Sequence, residues 1–301
     1  MTQTDSNSTG NLVLVNGAAR SGTTMLDLML GNSESCFSCG EIHAFFRPHR
    51  THHFDPDCSC GEKPCPVWES LGKVPEQDLH ANILQMPGIE HVIDSSKDLN
   101  WVLDSNRWAA GHGIPVVNLL LWKDPKDLAY SHWKRGRPID YYRRAFLHYY
   151  ERFLNLNLPF IAINYQDLVG NPSVILKDIC DRCGIDWHEG QEEFWNKKHH
   201  HFFGSAGTGK QVSEGGSKIG SIKDFPQEFL DAWNATDMAQ GTDTRLNRCI
   251  EGLQAADINS GTAASGNPTG PAIKPLWYYR HALKSLYRKR FPVELSASES
   301  T

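Results

Sequence analysis

The 301-residue sequence lacks a long apolar run. Its best run, residues 116–122, is interrupted by Asn118 and is far shorter than the roughly 18 residues that a membrane span requires. Residues 1–11 also lack the basic segment and apolar core of a secretory signal. The sequence therefore predicts a disordered N-terminus over residues 1–10 and a cytoplasmic location.

The sequence also lacks an excess of positive charge. It has 30 basic and 35 acidic side chains, for a net charge of −5. Six of the basic residues but only two of the acidic ones follow residue 273, so the rest of the chain is more acidic still. An acidic body argues against a long polyanion as ligand, and we expect no nucleic-acid partner.

Apolar segments of strand length alternate with segments of helical pattern. Such alternation predicts an α/β fold, a single domain with a parallel sheet flanked by helices on both faces. Ligands of such sheets bind beyond the carboxyl ends of the strands. The predicted strands are 12–16, 91–94, 115–122 and 159–164. The predicted helices are 23–31, 76–86, 99–112, 126–136, 138–156 and 172–183.

The composition changes along the chain and divides it into regions. The domain is predicted over 11–255, and it includes an irregular Cys/His-rich insert at 36–68. Residues 204–223, rich in Gly, Ser and Lys, predict a loop that covers a ligand. Residues 256–273 have linker composition. The sequence of the tail, residues 274–301, is basic and amphipathic and predicts a helix.

The apolar positions within residues 276–291 of that tail follow helical spacing. Three interpretations remain open: a helix packed on the acidic body, peripheral contact with a membrane surface, or a partner site.

The loop at residues 17–24 joins a predicted buried strand to a predicted helix. Such a junction collects unpaired backbone N–H groups and the positive end of a helix dipole, which favours anion binding. Its Gly-x4-Gly spacing fits a phosphate loop, but Thr23 replaces the lysine of a Walker A motif. Arg20 supplies a cation from inside the loop instead.

This loop resembles the 5′-phosphosulfate loop of the P-loop sulfotransferases, and the resemblance implies that the parallel sheet is P-loop NTPase-like. These enzymes transfer a sulfuryl group from 3′-phosphoadenosine 5′-phosphosulfate (PAPS). The resemblance implies PAPS as donor, bound by Arg20, Ser21, Gly22, Thr23 and Thr24.

Residues 122–131 resemble the segment of the same family that binds the 3′-phosphate. The resemblance implies binding by Lys123 and Ser131, with Arg135 one helical turn later. Lys123 stands where relatives usually have arginine, so the charge is kept and the bidentate geometry is lost.

The segment Cys39-Gly40-Glu41 resembles the Cys-Gly-Glu of tyrosylprotein sulfotransferases, and the spacing of 21 residues from Arg20 also matches. The resemblance implies that Glu41 is the general base, with His43 as the fallback. It also implies that Lys97 neutralises charge on the bridging oxygen as the sulfuryl group leaves. No Walker B-type partner is visible in the sequence, so no metal requirement is expected.

Four further positions are weaker candidates for nucleotide contact. Tyr165 belongs to an element similar to the family's Tyr-Glu-Asp-Leu, and it either encloses the nucleotide or packs in the core. Ser217 and Lys218 resemble the family's second nucleotide-binding segment, and Lys210 competes for that role.

Five of the eight cysteines lie within 30 residues of one another, namely Cys36, Cys39, Cys58, Cys60 and Cys65. A structural zinc site, disulfides and reduced packed thiols are all open for them. Cys180 and Cys183 have the i, i+3 spacing of core positions on a helix. The run of histidines at 199–201 predicts a solvated turn rather than a ligand set.

Together these observations predict a PAPS-dependent sulfotransferase that acts on a hydroxyl acceptor, whether a protein tyrosine, a glycan or a small molecule. Two alternatives stay open. One is a P-loop nucleotide kinase or NTPase, and the other is a catalytically silent sulfotransferase-like protein that only binds nucleotide.

Overall fold

A computed structural model describes residues 10–216, 219 and 224–260. Within them, five parallel strands form one sheet in the order β2-β3-β1-β4-β5. The strands are β1 Asn11–Asn16, β2 Cys36–Gly40, β3 His91–Asp94, β4 Val116–Trp122 and β5 Ile161–Asn164. The predicted α/β fold with a parallel sheet is confirmed.

Helices cover both faces of this sheet, and alternate residues of each strand point into two separate hydrophobic cores. Leu12 and Leu120 belong to one core, and Val13 and Leu121 belong to the other. The α-helices of the described residues are α1 Thr23–Leu30, α2 His43–Phe46, α3 Pro66–Leu71, α4 Leu79–Ile83, α5 Leu99–Gly111, α6 Pro125–Trp133, α7 Tyr141–Leu154, α8 Tyr165–Gly170, α9 Pro172–Cys183, α10 Ala206–Glu214, α11 Gln227–Asn234 and α12 Thr244–Gln254.

Local sequence signals explain where several helices begin and end. The carboxylate of Asp98 accepts hydrogen bonds from the backbone N–H groups of Asn100 and Trp101, both at 3.0 Å, and so caps α5. A proline occupies the first turn of α6 and of α9, where no backbone donor is needed. Gly184 ends α9 in the left-handed conformation.

The edge strand β2 lies inside the stretch 36–68, which the sequence predicts to be irregular, so that prediction is wrong for Cys36–Gly40. The strand pairs with β3, and every residue in it is buried. Its sequence, Cys-Phe-Ser-Cys-Gly, has no β-branched residue and reads as a turn. Pairing and burial in the folded sheet override that local preference.

The C-terminal end of the domain packs on the opposite edge of the sheet. The Ala162 N–H donates to the Ala256 carbonyl at 2.8 Å, and Ala162 and Asp257 form an isolated parallel β-bridge. Ile258 is buried. The chain thus packs on this edge as far as Ile258, and the domain end at 255 stays a prediction.

Several predictions fall outside the described residues. They are the disordered N-terminus over residues 1–9, the linker from 261 onward, the tail 274–301 with its peripheral membrane contact, and Ser217 and Lys218. Within the described residues, none of the helices combines the length and the apolar character that crossing a membrane requires.

The order of the strands determines where a ligand can bind. The central strand β1 lies between β3 and β4. The chain places β2 and β3 on one side of β1 and then β4 and β5 on the other side, so the strand order reverses direction at β1. A crevice opens at the carboxyl end of a sheet at such a point. The loops that follow all five strands begin at this edge.

Candidate functional site

A cavity of about 1090 Å³ lies at the carboxyl edge of the sheet. Most of the residues that the sequence singles out meet there. The predicted residues that line it are Arg20, Gly22, Thr23, Thr24, Glu41, His43, Lys97, Lys123, Ser131, Arg135 and Tyr165.

The phosphate loop needs glycine at two positions because of close backbone contacts. A Cβ on Gly17 would lie 2.5 Å from the Leu121 carbonyl oxygen, and a Cβ on Gly22 would lie 2.7 Å from the ring of Tyr165. Gly22 also has a φ of +105°, which L side chains rarely adopt. As the residue preceding α1, it offers the first turn no side-chain acceptor. The positive end of α1 therefore suits an external anion.

Ser21 shapes this loop from within. Its hydroxyl donates to the Ala18 carbonyl at 2.7 Å, and its backbone N–H donates to the same oxygen at 3.1 Å. The residue is fully buried and does not line the cavity. The side chain of Ser21 thus holds the turn closed, and its contact with the donor stays a prediction.

Two tyrosines of α7, which the sequence analysis missed, support the loop. The hydroxyl of Tyr149 accepts from the Gly17 N–H at 3.1 Å, and that of Tyr150 accepts from the Ala18 N–H at 3.2 Å. The Tyr150 hydroxyl then donates to the Leu121 carbonyl at 3.0 Å. These bonds fix the loop against β4, and no local motif marks the tyrosines for that role.

Arg20 has the properties of a cation placed for an anionic ligand. Its backbone adopts a φ of +77°, a costly conformation for arginine that is found mainly at functional sites. Burial lowers the pKa of its guanidinium, and the positive charge of Arg135 lowers it further. Its Nε has no hydrogen-bond partner among the described residues. An anion between the two guanidinium groups would offset their repulsion.

Lys123 connects the two predicted phosphate sites. It lies directly after β4 and is buried. Its Nζ donates to the Arg20 carbonyl at 3.1 Å and lies 3.6 Å from the centroid of the Tyr165 ring. Tyr165 therefore belongs both to the core and to the cavity wall. Ser131 of α6 and the exposed Arg135 complete this side of the cavity.

Glu41 and Lys97 form an ion pair on the cavity wall. Glu41 follows β2 and Lys97 follows β3, and the Lys97 Nζ donates to the Glu41 Oε1. Burial alone would raise the pKa of Glu41, but the charge and hydrogen bond of Lys97 outweigh it, so the pKa is lowered. Glu41 is thus held ionised, which is the form that accepts a proton. Lys97 has a φ of +60°, so both Arg20 and Lys97 occupy the left-handed region.

His43 lies in the same wall as a neutral group. Burial lowers the pKa of its imidazole. Its Nδ1 has no hydrogen-bond partner in the part of the chain that the structure describes. A buried neutral imidazole next to the cavity keeps His43 as the fallback base.

A buried carboxylate lies beneath the site and ties its strands together. Asp27 of α1 is fully buried and accepts hydrogen bonds from Ser38 on β2, at 2.6 Å, and from Ser95 just after β3. The His201 Nδ1 lies 2.8 Å from the Ser38 Oγ and 3.6 Å from the Asp27 Oδ2. These contacts hold together the strand ends that carry Glu41 and Lys97.

The predicted solvated turn at residues 199–201 is wrong. His199 and His201 are buried, and His200 is partly buried. Burial lowers the pKa of His201 to about 3, so its ring is neutral near pH 7. The segment packs against β2 through backbone hydrogen bonds, which a run of three histidines does not reveal.

Asp27 gives the fold a specific dependence on pH. Burial raises the pKa of Asp27 from 3.8 to about 7, so between these values the native state binds a proton that the unfolded chain releases. Stability therefore falls as pH rises through this window. We therefore expect the free energy of unfolding of Asp27→Asn, measured relative to that of the unmodified chain, to be higher at pH 8 than at pH 5. The expected change in this difference is on the order of 2 kcal/mol. Urea unfolding at both pH values measures the difference.

Asp181→Asn, at an exposed position, is the matched control. Its free energy of unfolding should change with pH in the same way as that of the unmodified chain. The same pH dependence for Asp27→Asn would show that Asp27 does not titrate in that window.

A group of residues that also line the cavity was not predicted from the sequence. Arg47 makes two 3.0 Å hydrogen bonds to Glu76 and one to Asp104, so its charge is neutralised within the wall. The feature of the sequence that could have revealed these residues is the run of Arg and His residues that follows Glu41. Further lining residues that were not predicted are His49, Arg50, His52, His53, Arg107, Trp108 and Phe203.

The predicted covering loop at 204–223 is in part the helix α10. Gly204, Ser205 and Thr208 line the cavity, and the Ser205 N–H donates to the Thr24 Oγ1 at 3.1 Å. Lys210 is exposed on α10 and does not line the cavity.

The cysteines of the insert separate into different places. All eight cysteines lie in the described part of the chain, and none forms a disulfide there. Cys36 packs in one core with Cys180 and Cys183, and Cys39 is buried in the other. The remaining three, Cys58, Cys60 and Cys65, converge on one point. The five-cysteine group therefore does not form a single zinc site.

Comparison with solved structures identifies the fold. The sulfotransferase domain from the curacin biosynthetic pathway matches with a TM-score of 0.53 at 15% identity, covering 81% of this chain and 97% of that domain. The sulfotransferase domain from the Synechococcus PCC 7002 olefin synthase matches with a TM-score of 0.51 at 16% identity, covering 81% and 94%. No family model and no curated protein matches the sequence.

The chain thus has the fold of the sulfotransferase domains, and the resemblance seen in the sequence is confirmed at that level. The spacing shared with tyrosylprotein sulfotransferases stays a prediction, as do the roles of the individual site residues.

Proposed function

We propose that the protein is a PAPS-dependent sulfotransferase that moves a sulfuryl group to a hydroxyl acceptor, with Glu41 as the general base. One observation carries the proposal. A single cavity joins the Arg20 phosphate loop, the second cation group of Lys123 and Arg135, and the Glu41–Lys97 ion pair.

The two cation groups fit the two ends of PAPS. The phosphate loop and the start of α1 would hold the 5′-phosphosulfate, and Lys123, Ser131 and Arg135 would hold the 3′-phosphate. ATP has no 3′-phosphate, so the second group would select PAPS over ATP. Thr23 in place of the Walker lysine argues in the same direction against a nucleotide kinase or NTPase.

In the proposed reaction the acceptor oxygen attacks sulfur as the bond between sulfur and the bridging oxygen breaks. The electron pair of that bond leaves with adenosine 3′,5′-bisphosphate (PAP), and Glu41 takes the acceptor proton. Lys97 has three donor hydrogens, so it can hold Glu41 and also donate to the bridging oxygen. A loose transition state is stabilised mainly by positioned charge, here Arg20 and Lys97.

Donor specificity gives the first test. PAP should raise the melting temperature of the protein well above the effect of AMP or ATP with Mg²⁺ at equal concentration, because only PAP fills the 3′-phosphate site. Arg20→Ala and Lys123→Ala should each weaken PAP binding by about 1.5–3 kcal/mol, the usual loss for a charged hydrogen bond. Calorimetric titration measures the affinity.

Lys126→Ala is the matched control, since Lys126 lies three residues from Lys123 and does not line the cavity. Equal thermal shifts for PAP, AMP and ATP would contradict the PAPS assignment. A clear preference for ATP with Mg²⁺ would support the kinase or NTPase alternative.

Transfer itself is the second requirement. Radiolabelled sulfate from PAPS should enter a hydroxyl-bearing acceptor when the protein is incubated with a cell extract, whether that acceptor is a protein, a glycan or a small molecule. PAP binding without transfer to any acceptor would favour the catalytically silent alternative.

A further inference from the structure

Three cysteines of the insert meet a histidine that lies far away in the sequence. Cys58, Cys60, Cys65 and His200 offer one sulfur or nitrogen atom each, and these atoms all lie within 4.8 Å of one another. The Cys65 Sγ lies 3.3 Å from the His200 Nδ1. None of the four residues lines the candidate active-site cavity.

This donor set has the chemistry of a structural zinc site. Three thiolates and one imidazole form one of the common tetrahedral sets for Zn²⁺. With zinc–sulfur distances of about 2.3 Å, the ligand atoms of a tetrahedral site lie about 3.8 Å apart. No two of the four atoms are more than about 1 Å farther apart than in such a site, so small side-chain movements would suffice to surround an ion. A disulfide, by contrast, would use two of the thiols and leave the third cysteine and His200 without a role.

We propose that Cys58, Cys60, Cys65 and His200 bind one Zn²⁺ ion as a closed structural site. Four protein ligands leave no open position for substrate, so the ion would stabilise the fold rather than take part in sulfuryl transfer.

Hydrogen bonds around the four residues already fasten the same two segments together. The Ser59 N–H donates to the His201 carbonyl at 3.0 Å, and the Ser59 hydroxyl donates to the His199 carbonyl at 2.8 Å. The Trp68 indole N–H donates to the His200 carbonyl. Such outer contacts orient metal ligands before the ion binds.

The proposed ion would hold the segment that borders the active site. Two residues after His200, the Phe202 N–H donates to the Cys39 carbonyl at 3.1 Å, and the Phe202 carbonyl accepts from the Glu41 N–H at 2.9 Å. Two residues later, Gly204 packs on Thr24 of the phosphate loop. A metal clip at His200 would therefore fix the backbone between the predicted base and the donor site.

Metal analysis of the full chain, purified under reducing conditions from zinc-supplemented medium, tests the proposal. About one zinc per chain is expected, and it should persist through brief chelation, as a closed site implies. Cys60→Ser and His200→Ala should each lose most of this zinc. Cys249→Ser is the matched control, because Cys249 is a buried cysteine outside the cluster, and it should keep the zinc.

Two measurements on the unmodified chain guard against variants that fail to fold. X-ray absorption at the zinc edge should give three sulfur ligands and one nitrogen ligand. Cobalt substitution should produce the visible bands of tetrahedral thiolate-bound Co²⁺. Zinc-free protein after supplementation, a disulfide among the three cysteines, a shell of oxygen and nitrogen only, or undiminished zinc in both variants would each overturn the proposal. None of these results depends on PAPS binding, which is measured separately.

Discussion

Replacement of Glu41 by glutamine is expected to lower turnover by about a hundredfold or more, the usual contribution of a positioned base. Glutamine keeps the size of the side chain and loses the ability to take the acceptor proton. PAP affinity should barely change, because the proposed role of Glu41 concerns the acceptor and not the donor phosphates. Turnover is measured with radiolabelled PAPS, and PAP affinity by calorimetric titration.

His43→Ala is the comparison variant, and its effect should be comparatively mild. If His43→Ala abolishes transfer while Glu41→Gln retains it, His43 is the base and the assignment of Glu41 is wrong. If both variants keep near-normal rates, neither residue acts as the base, and the general-base step must be dropped.

Much of the cavity lining around residues 17–24 could be predicted from the sequence because its signals are local. The phosphate loop is a strand, a glycine turn and a helix start within fourteen residues or so, and each part has its own physical signature. Lys97, Lys123 and Tyr165 follow strands whose apolar runs are clear. Parallel strands bring such exits to one edge, so their convergence follows from the pattern alone.

The partnership of Glu41 with Lys97 could not be predicted in the same way, because it depends on the edge strand β2. Gly40 pairs with Asp94, which places the residues just after β2 and β3 next to each other. The Cys-Phe-Ser-Cys-Gly sequence hides this strand, since only pairing with β3 and burial stabilise it as one. Once β2 is in place, the register brings the segments that carry Glu41 and Lys97 side by side.

The remaining features escaped prediction because they join residues that are distant in the chain. Tyr149 reaches Gly17 across 132 residues, and His200 reaches Cys65 across 135. Asp27 looks like an ordinary polar position in an amphipathic helix, yet its carboxylate is fully buried between two strand ends. Tertiary packing alone determines such contacts, and one sequence carries no local trace of them.

The ion pair explains why the two catalytic candidates should act as a unit. Burial would raise the pKa of Glu41, and Lys97 reverses that effect. The same ammonium group is proposed to stabilise the leaving oxygen. Lys97 would thus have two roles, one exerted on the base and one on the donor, and these can be separated by their dependence on pH.

Replacement of Lys97 by methionine is expected to lower turnover by on the order of a hundredfold to a thousandfold. This is the usual effect of removing one hydrogen-bond donor that stabilises developing charge in the transition state. The pH profile should also change. With Lys97 removed, burial dominates and the pKa of Glu41 rises. The acidic limb of the profile, where protonation of Glu41 abolishes activity, should therefore move to higher pH than in the unmodified protein. Profiles of kcat/KM against pH measure this shift.

Lys97→Arg keeps the charge and is the matched control. It should leave the acidic limb of the profile close to that of the unmodified protein, while turnover falls because the planar guanidinium fits the leaving oxygen less well. The double variant Glu41→Gln with Lys97→Met should lose much less than the product of the two single effects, because the two side chains act on one another. An acidic limb that stays in place in Lys97→Met would show that Lys97 does not control the ionisation of Glu41. Strictly multiplicative losses in the double variant would show that the two residues act independently.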